Sequence, residues 1–423
     1  MTGAHRGSLL AGAIADRLAH PSLITSPVAA APWWRQSLAH GAPGVALLHI
    51  ERAAAGLAPW QPAQDWLTYI TRGPITAGPH SHPFYGAPAL GHVLACAAEH
   101  RPGRACQRAL DAIDHAITAD TRRRTDAAHA RIDAGRLPEL QEFDAIRGLA
   151  GLGGYLLRRD PDGQVIGEVL AYLVRLTEPF PHRNAFVPGW WTATGPSGHV
   201  SDQFPDGHGN LGVAHGIRGP LTVLALAARR GITVPGHHAA INTICTWLDG
   251  QRTGTAREPS WPYWVTEPHP GRDQQNRSGQ QRLAWCYGTA GIARTLQLAA
   301  LATGNTRQQH AEHALTTALA DPAQTAMTTN WSICHGKSGL AQIAAAAASD
   351  ATTATRARLQ ALTANLRYHA WPQRAGPAAA AITLVDQAGP GFLDGAAGAA
   401  LTLTSPASGG ASCTGWERCL LIT

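Results

Sequence analysis

Two stretches of the sequence are built alike and decide the fold: AWCYGTAGIA, residues 284–293, and SICHGKSGLA, residues 332–341. In each stretch a cysteine, Cys286 or Cys334, stands two residues before a glycine that opens the pattern G-x-x-G, and an apolar run follows. A match of this kind within one chain indicates an internal repeat, so further copies of the pattern are expected elsewhere in the chain.

The pattern G-x-x-G followed by an apolar segment occurs six times, and a seventh copy has Ala89 in place of its second glycine. The first glycines of the seven copies are Gly41, Gly86, Gly148, Gly216, Gly288, Gly336 and Gly395. Each interval has room for the apolar helix after the glycines and for a returning helix. The sequence therefore predicts seven helical hairpins.

Helical hairpins cannot bury their apolar faces alone, so they must stack into an open solenoid or a closed ring. Glycines at the start of each inner helix allow close approach, which favours the ring. We predict an all-α fold, an α/α barrel or toroid with seven inner and seven outer helices, forming a single domain over residues 1–423. Equivalent repeat positions should lie at equivalent heights, which places the residues before each G-x-x-G at one rim.

Two intervals are longer than the rest and differ in composition from the alanine-rich helices. They run from about Arg158 to Gly207 and from about Gln251 to Gln281, and both are rich in Pro, Gly and Trp. We expect loop insertions here, the first of them a small inserted subdomain or lid over about 158–207. Their aromatic residues suit contact with an extended peptide, or they close the ends of the barrel as core residues.

Composition excludes several classes of function. The net charge of +6 comes from scattered arginines, with Lys337 the only lysine, and no basic run is interleaved with aromatic residues as in a nucleic-acid surface. No stretch is apolar enough to span a bilayer, and the first residues are too weakly apolar for a signal peptide. We predict a cytoplasmic protein. Its seven cysteines fit reduced thiols and a metal better than a disulfide framework.

The predicted rim collects four side chains that can bind a metal or carry a proton: Cys286, Cys334, His335 and His215. Their place at helix N-termini favours thiolate over thiol. Two thiolates and one imidazole are good zinc ligands, and three protein ligands with an open fourth position describe a catalytic zinc site. His40, one residue before Gly41, is a rival ligand.

Three further residues near the glycines have ordinary interpretations when taken singly. Asp144 and Arg282 would be helix caps or surface charges. Tyr287, beside Cys286, has a counterpart in Tyr85, so a packing role shared by two repeats explains it equally well.

Several motifs together resemble the lanthionine synthetase C-like (LanC) family, and they occur in that family's order over nearly the whole length. The motifs are FDAIRGLAG, NLGVAHGIRGP, RLAWCYGTAG, CHGKSGL, GFLDGAAG and WERCLLI. Members with a separate chain of this size are the cyclases of class I lanthipeptide biosynthesis. The resemblance implies an α/α barrel of seven inner and seven outer helices with one zinc ion.

Site residues follow from the resemblance motif by motif. It implies zinc on Cys286, Cys334 and His335, and proton transfer by His215. It implies supporting roles for Asp144, Arg282 and Tyr287. In the implied reaction, a cysteine thiol of a dehydrated precursor peptide, made of a leader and a core, adds to dehydroalanine or dehydrobutyrine and closes a thioether ring. A dehydratase and an exporter are the implied partners, and the enzyme would associate with membranes through them.

Three alternatives remain open from the sequence. The same site could add glutathione or another small thiol to dehydrated residues. Prenyl transferases also hold zinc with Cys and His inside an α/α barrel, but they use an aspartate as well, and no such ligand is apparent in the sequence. The chain could also be a non-catalytic peptide-binding scaffold that retains zinc, although the presence of Arg282, His215 and Asp144 argues against it.

Overall fold

A helix begins within two residues after each of the seven repeat glycines, as the sequence predicts. The computed structural model describes residues 3–24, 27–101, 103–183, 185–255, 257–266, 281–369, 376–405 and 411–423. The α-helices of this part are α1 (Gly3–Arg17), α2 (Ala42–Ala54), α3 (Gln61–Thr71), α4 (Ala87–Ala98), α5 (Arg104–Asp133), α6 (Leu140–Phe143), α7 (Leu149–Arg159), α8 (Gln164–Arg175), α9 (Arg218–Ala228), α10 (His237–Gly250), α11 (Thr289–Thr303), α12 (Arg307–Ala320), α13 (Pro322–Ala326), α14 (Lys337–Asp350), α15 (Thr353–His369), α16 (Pro377–Ala388) and α17 (Ala396–Thr404). Short 3₁₀ helices cover Pro21–Leu23, Pro27–Ala30, Gly78–His80 and Trp416–Leu420.

The helices that follow the glycines are the buried ones. They are α2, α4, α7, α9, α11, α14 and α17. In α9, for example, every residue from Arg218 to Ala227 is buried. Small alanine and glycine side chains dominate these helices. Because the distance between packed helix axes is shorter when the side chains at the contact are smaller, these helices can pack closely. The repeat pattern thus selects the helices that form the core.

The chain divides into two compact units. The first unit comprises Met1–Ile117 and Thr328–Arg418, and the second comprises Thr118–Met327 and Cys419–Thr423. Within the first unit, α2 packs against α4 and α17, and α17 packs against α14. Within the second, α9 packs against both α7 and α11. The buried helices are therefore neighbours within each unit, while the single domain over residues 1–423 stays a prediction.

Returning helices pack beside the buried ones. Helix α3 packs on α2, α8 on α7, α10 on α9, α12 on α11, and α15 on α14. The last repeat differs, because α17 packs against α1 from the start of the chain and against α16, in addition to its buried neighbours α2 and α14. The sequence pattern does not predict this role of α1.

The backbone at Gly86 requires a glycine, although this copy of the pattern lacks the second one. Its φ is +72°, in the left-handed region that favours glycine, and a Cβ there would lie 2.4 Å from the carbonyl oxygen of Thr76. The second glycine is dispensable in this copy because Ala89 is accommodated in the buried face of α4.

Short strands lie in the two long intervals of the second unit. They form antiparallel pairs of β1 (Phe180–His182) with β2 (Ala185–Val187), β3 (Gly209–Asn210) with β6 (Trp264–Val265), and β4 (Thr253–Gly254) with β5 (Pro259–Ser260). The pairing of β3 with β6 joins the segment just after the first insertion to the second insertion.

The expected insertion over about 158–207 contains the returning helix α8 as well as the β1–β2 hairpin. Residue 184 of this stretch and residues 256 and 267–280 of the second lie outside the described residues. No helix in the described part of the chain is both long and apolar enough to cross a membrane.

Candidate active site and metal ligands

The turns that precede the buried helices are hydrogen-bonded side by side in the second unit. The amide of Ala145 donates to the carbonyl of Ala214 at 3.1 Å, and the amide of Val213 donates to the carbonyl of Cys286 at 3.0 Å. These bonds hold the turns of Asp144, His215 and Cys286 next to one another. Within this unit the structure therefore supports the predicted alignment of residues that precede the repeat glycines.

Asp144 and His215 form the best-defined pair of predicted site residues. The Nδ1 atom of His215 lies 2.7 Å from Oδ2 of Asp144. The Asp144 side chain is 1% exposed, whereas that of His215 is 39% exposed. The other Asp144 oxygen, Oδ1, accepts hydrogen bonds from the amides of Arg147 at 2.6 Å and Gly148 at 2.9 Å. A rigid buried carboxylate thus orients an accessible imidazole.

Because Nδ1 of His215 faces Asp144, the neutral ring carries its proton on Nδ1 and leaves Nε2 as the free nitrogen. This is the arrangement by which a buried carboxylate fixes the tautomer of a histidine that handles protons. Asp144 is not the N-cap residue of α7, which is Gly148, but its Oδ1 binds two amides of the turn in front of that helix.

Tyr287 lies in an aromatic cluster rather than in a purely apolar core. Its hydroxyl accepts a hydrogen bond from Nδ2 of Asn210 at 3.1 Å, and its ring is 5.1 Å from that of Tyr263. Burial raises the pKa of Tyr287 to about 12, with the neighbouring Cys286 adding to the shift and the Asn210 hydrogen bond and Arg218 opposing it. The hydroxyl therefore keeps its proton at neutral pH.

Arg282 is connected to the same cluster. Its carbonyl accepts a hydrogen bond from the hydroxyl of Tyr263 at 2.9 Å. Burial raises the pKa of Tyr263, and the charge of Arg282 opposes this shift. Gly288, which follows Tyr287, has φ +85°, and a Cβ there would lie 2.7 Å from the Arg282 carbonyl oxygen. A tight turn thus keeps Arg282, Cys286 and Tyr287 in one short segment.

Arg218 is a functional candidate that the sequence analysis missed. Its side chain is completely buried, Nε donates to the carbonyl of Leu211, and Nη2 donates to the carbonyl of Cys286 at 3.1 Å. Burial lowers its pKa to about 9, and the nearby Cys286 and Tyr287 oppose the shift. Arg218 therefore fixes the backbone of Cys286 and remains cationic at neutral pH. In the sequence the one signal for Arg218 is that a charged residue stands within an otherwise apolar helix.

In the first unit, the turns of Cys334 and Asp394 are joined in the same manner. The amide of Cys334 donates to the carbonyl of Leu393 at 3.0 Å, and that of Leu393 donates to Ala39 at 2.8 Å. Cys334, His335 and Asp394 each offer one ligand atom, and these atoms all lie within 4.8 Å of one another. Among the described residues this is a group able to hold a metal ion.

Asp394 is the residue that sequence analysis overlooked in this group. It stands one residue before Gly395, the repeat position that His335 occupies before Gly336 and His40 before Gly41. Its Oδ1 lies 3.4 Å from Nδ1 of His335, and its Oδ2 lies 3.9 Å from Nδ1 of His40. Applying the repeat comparison to acidic residues, and not only to Cys and His, would have found it.

The predicted residues thus fall into two sets, one in each unit. The second unit brings together Asp144, His215, Tyr287 and the backbone of Cys286, with Arg282 in the same segment. The first unit brings Cys334 and His335 beside Asp394.

Comparisons with known proteins identify the family and the fold of the chain. The family model "Lanthionine synthetase C-like protein" matches residues 32–421. The nisin biosynthesis protein NisC of Lactococcus lactis subsp. lactis is 26% identical over 209 residues. Those residues are 48% of this chain and 48% of NisC, so the match spans about half of that relative's length.

A solved structure titled nisin cyclase has the same fold, with a TM-score of 0.71, 21% identity and 93% coverage of both chains. This similarity confirms the predicted all-α class and its α/α-barrel fold. With a family model that matches residues 32–421, the chain belongs to the lanthionine synthetase C-like family.

Proposed function

We propose that the protein is a zinc-dependent lanthipeptide cyclase. It would add a cysteine thiol of a dehydrated precursor peptide to dehydroalanine or dehydrobutyrine in the same peptide. The observation that carries the proposal is the His215 arrangement, in which buried Asp144 orients an accessible imidazole in a turn hydrogen-bonded to that of Cys286. The family membership and the match to NisC support the same chemistry.

One zinc ion per chain would be held by Cys286, Cys334 and His335. The donor atoms of Cys334 and His335 are close together, and a thiolate with an imidazole suits zinc better than harder cations. When bound, zinc would supply a Lewis acid that converts a thiol to a thiolate at neutral pH. A fourth position free of protein ligands is needed for the peptide.

The remaining site residues would stabilise the negative charge that develops during the addition and would supply the proton that completes it. The sulfur forms a bond to the β-carbon, the double-bond electrons shift to the neighbouring carbonyl, and the α-carbon then takes a proton. Arg282 would stabilise the developing oxyanion. Tyr287 would donate a hydrogen bond, which its raised pKa of about 12 permits because the hydroxyl stays protonated.

His215 would deliver the proton to the α-carbon. Its ring is accessible, and its Nδ1 is held by Asp144, so Nε2 is the atom that would exchange the proton. Asp144 is a positioning residue in this proposal, because it acts through His215 and is itself almost completely buried.

A peptide would lie along the aromatic cluster of Tyr263, Trp264, Phe204 and Tyr287. The ring of Trp264 is 6.2 Å from that of Tyr287 and 6.1 Å from that of Phe204, and Trp264 is 37% exposed. Amphipathic aromatic rings offer contact area to an extended chain at low entropic cost. The exposure of Trp264 favours the interpretation in which aromatic residues of the insertions contact the peptide, over the one in which they only close the ends of the barrel.

The wider assignments rest on the resemblance and on composition. The substrate would carry a leader and a core, a dehydratase and an exporter would be partners, and the protein would be cytoplasmic and associated with membranes only through those partners.

Separating the roles of His215 and the metal ligands tests the proposal. His215→Ala should keep its zinc by elemental analysis and lose about 10²- to 10⁴-fold in cyclisation rate, because only proton delivery is removed. Cys334→Ala should lose zinc. The matched controls are His310→Ala, at an exposed position, and Cys106→Ala, at a half-buried one. Loss of zinc in His215→Ala, or its retention in Cys334→Ala, would refute the assignment.

A further inference from the structure

Asp394 is held next to His335 by the backbone of the first unit. The amide of Cys334 bonds to the carbonyl of Leu393, so the turn before α14 and the turn before α17 are fixed edge to edge. The amide of His335 is anchored in turn by Oγ of Ser332 at 3.0 Å. The two side chains are therefore neighbours because of their place in the repeat.

One carboxylate oxygen of Asp394, Oδ1, is a buried acceptor without a hydrogen bond among the described residues. Nδ1 of His335 lies 3.4 Å away, a few tenths of an ångström beyond a normal hydrogen bond. A buried acceptor without a hydrogen bond is unfavourable, and a small rotation of either side chain would form the bond.

We propose that Asp394 is a positioning residue for the metal site and accepts a hydrogen bond from Nδ1–H of His335. That bond fixes the neutral tautomer in which Nε2 carries the lone pair that would be available to a metal ion. Metal-binding histidines usually donate their second ring N–H to a carboxylate or carbonyl group, which orients the ring and raises its basicity. This inference rests on the zinc site of the proposed function.

Direct coordination by Asp394 is the competing role, since its oxygen also lies within 4.8 Å of the Cys334 and His335 ligand atoms. A carboxylate bound together with Cys286, Cys334 and His335 would fill a tetrahedral shell. No position would then remain for the peptide thiol. Orientation of His335 is the role that leaves the site open.

The test compares zinc dissociation constants of wild type, Asp394→Ala and Asp394→Asn, measured by competition with a chromophoric chelator. The matched control is Asp386→Asn, because Asp386 is 63% exposed and 4.0 Å from Arg17. We expect Asp394→Ala to raise the dissociation constant about 10- to 100-fold. Asp394→Asn should lie between Ala and wild type, because its amide oxygen still accepts from Nδ1–H.

Spectra of the Co²⁺-substituted proteins then distinguish orientation from coordination. If Asp394 orients His335, all variants keep the tetrahedral d–d bands and the thiolate-to-cobalt band of wild type. An unchanged zinc affinity in Asp394→Ala would overturn the proposal. A changed ligand number with equal losses in Ala and Asn would also overturn it, because Asp394 would then be a ligand.

Folding of each metal-free variant is followed by circular dichroism, and Asp394→Asn carries the test if the Ala variant unfolds. The failure of the proposed function is a separate result: wild-type protein that binds no zinc would overturn the metal site itself, and this inference with it.

Discussion

Replacing Asp144 by asparagine tests how the buried carboxylate acts on His215. In the native protein Oδ2 accepts from Nδ1 of His215 at 2.7 Å, while Oδ1 accepts from two backbone amides. The asparagine side chain keeps an oxygen for the amides but presents an NH₂ group to His215. Nδ1 must then accept, and the neutral ring carries its proton on Nε2. The substitution therefore changes the tautomer and leaves the shape of the site unchanged.

The structure sets the expected magnitudes. Asp144→Asn retains both amide bonds, so the free energy of unfolding should fall by only about 1–2 kcal/mol, the difference between a charged and a neutral acceptor. Asp144→Ala loses all three bonds of a residue that is 1% exposed, and each of these charge-assisted bonds contributes about 1.5–3 kcal/mol. Cyclisation by Asp144→Asn should nevertheless slow by roughly 10²- to 10⁴-fold, because His215 is no longer set up to deliver a proton.

Three measurements check this prediction. Urea denaturation gives the stability of both variants, thiol loss from a dehydrated peptide gives the rate, and ¹⁵N NMR of the imidazole nitrogens gives the tautomer. Wild-type cyclisation by Asp144→Asn would refute the role assigned to Asp144. So would an Asn variant as unstable as the Ala variant, since the carboxylate would then serve folding alone.

The remaining predictions concern stability in the first unit. Buried Glu51 accepts hydrogen bonds from the amides of Cys413 and Thr414 and from the Thr414 hydroxyl. Glu51→Ala should lower the free energy of unfolding by about 3 kcal/mol or more, and Glu51→Gln by less, as measured by urea denaturation; equal losses would contradict the hydrogen-bonding account. Burial lowers the pKa of His49 from 6.5 to about 4, so the unfolded chain binds this proton first and stability is lost as pH falls from about 6.5 to about 4. The loss is on the order of 3 kcal/mol, and it should shrink in His49→Gln; an unchanged pH profile in that variant would assign the acid sensitivity to other groups.

The buried helices were predictable because the repeat is local in sequence. A G-x-x-G followed by an apolar run carries its own helix start and its own buried face, and all seven copies, including that at Gly86, give a helix. The partnership of α1 with α17 was not predictable from the pattern, since α1 carries no repeat glycine and its place depends on tertiary packing.

The proximity of candidate site residues was predictable where chemistry and repeat position coincide, as for Cys334 with His335, while their roles stay predictions. Arg218 and Asp394 were missed for physical reasons. Arg218 acts through carbonyl groups of two turns that are distant in sequence, Leu211 and Cys286. Asp394 lies beside His335 because its turn is hydrogen-bonded to the turn of Cys334, and this contact cannot be predicted from the sequence around Asp394 alone.

Ring formation is tested most directly by comparing wild type with Cys286→Ala on one peptide that contains a cysteine and a dehydrated serine or threonine. Wild type should remove the alkylatable thiol without any change in peptide mass, because intramolecular addition adds no atoms. Cys286→Ala should show only the slow spontaneous reaction. Addition of a glutathione mass would instead identify a small-thiol transferase. Equal thiol loss with the two proteins would contradict the cyclase assignment and leave a binding role.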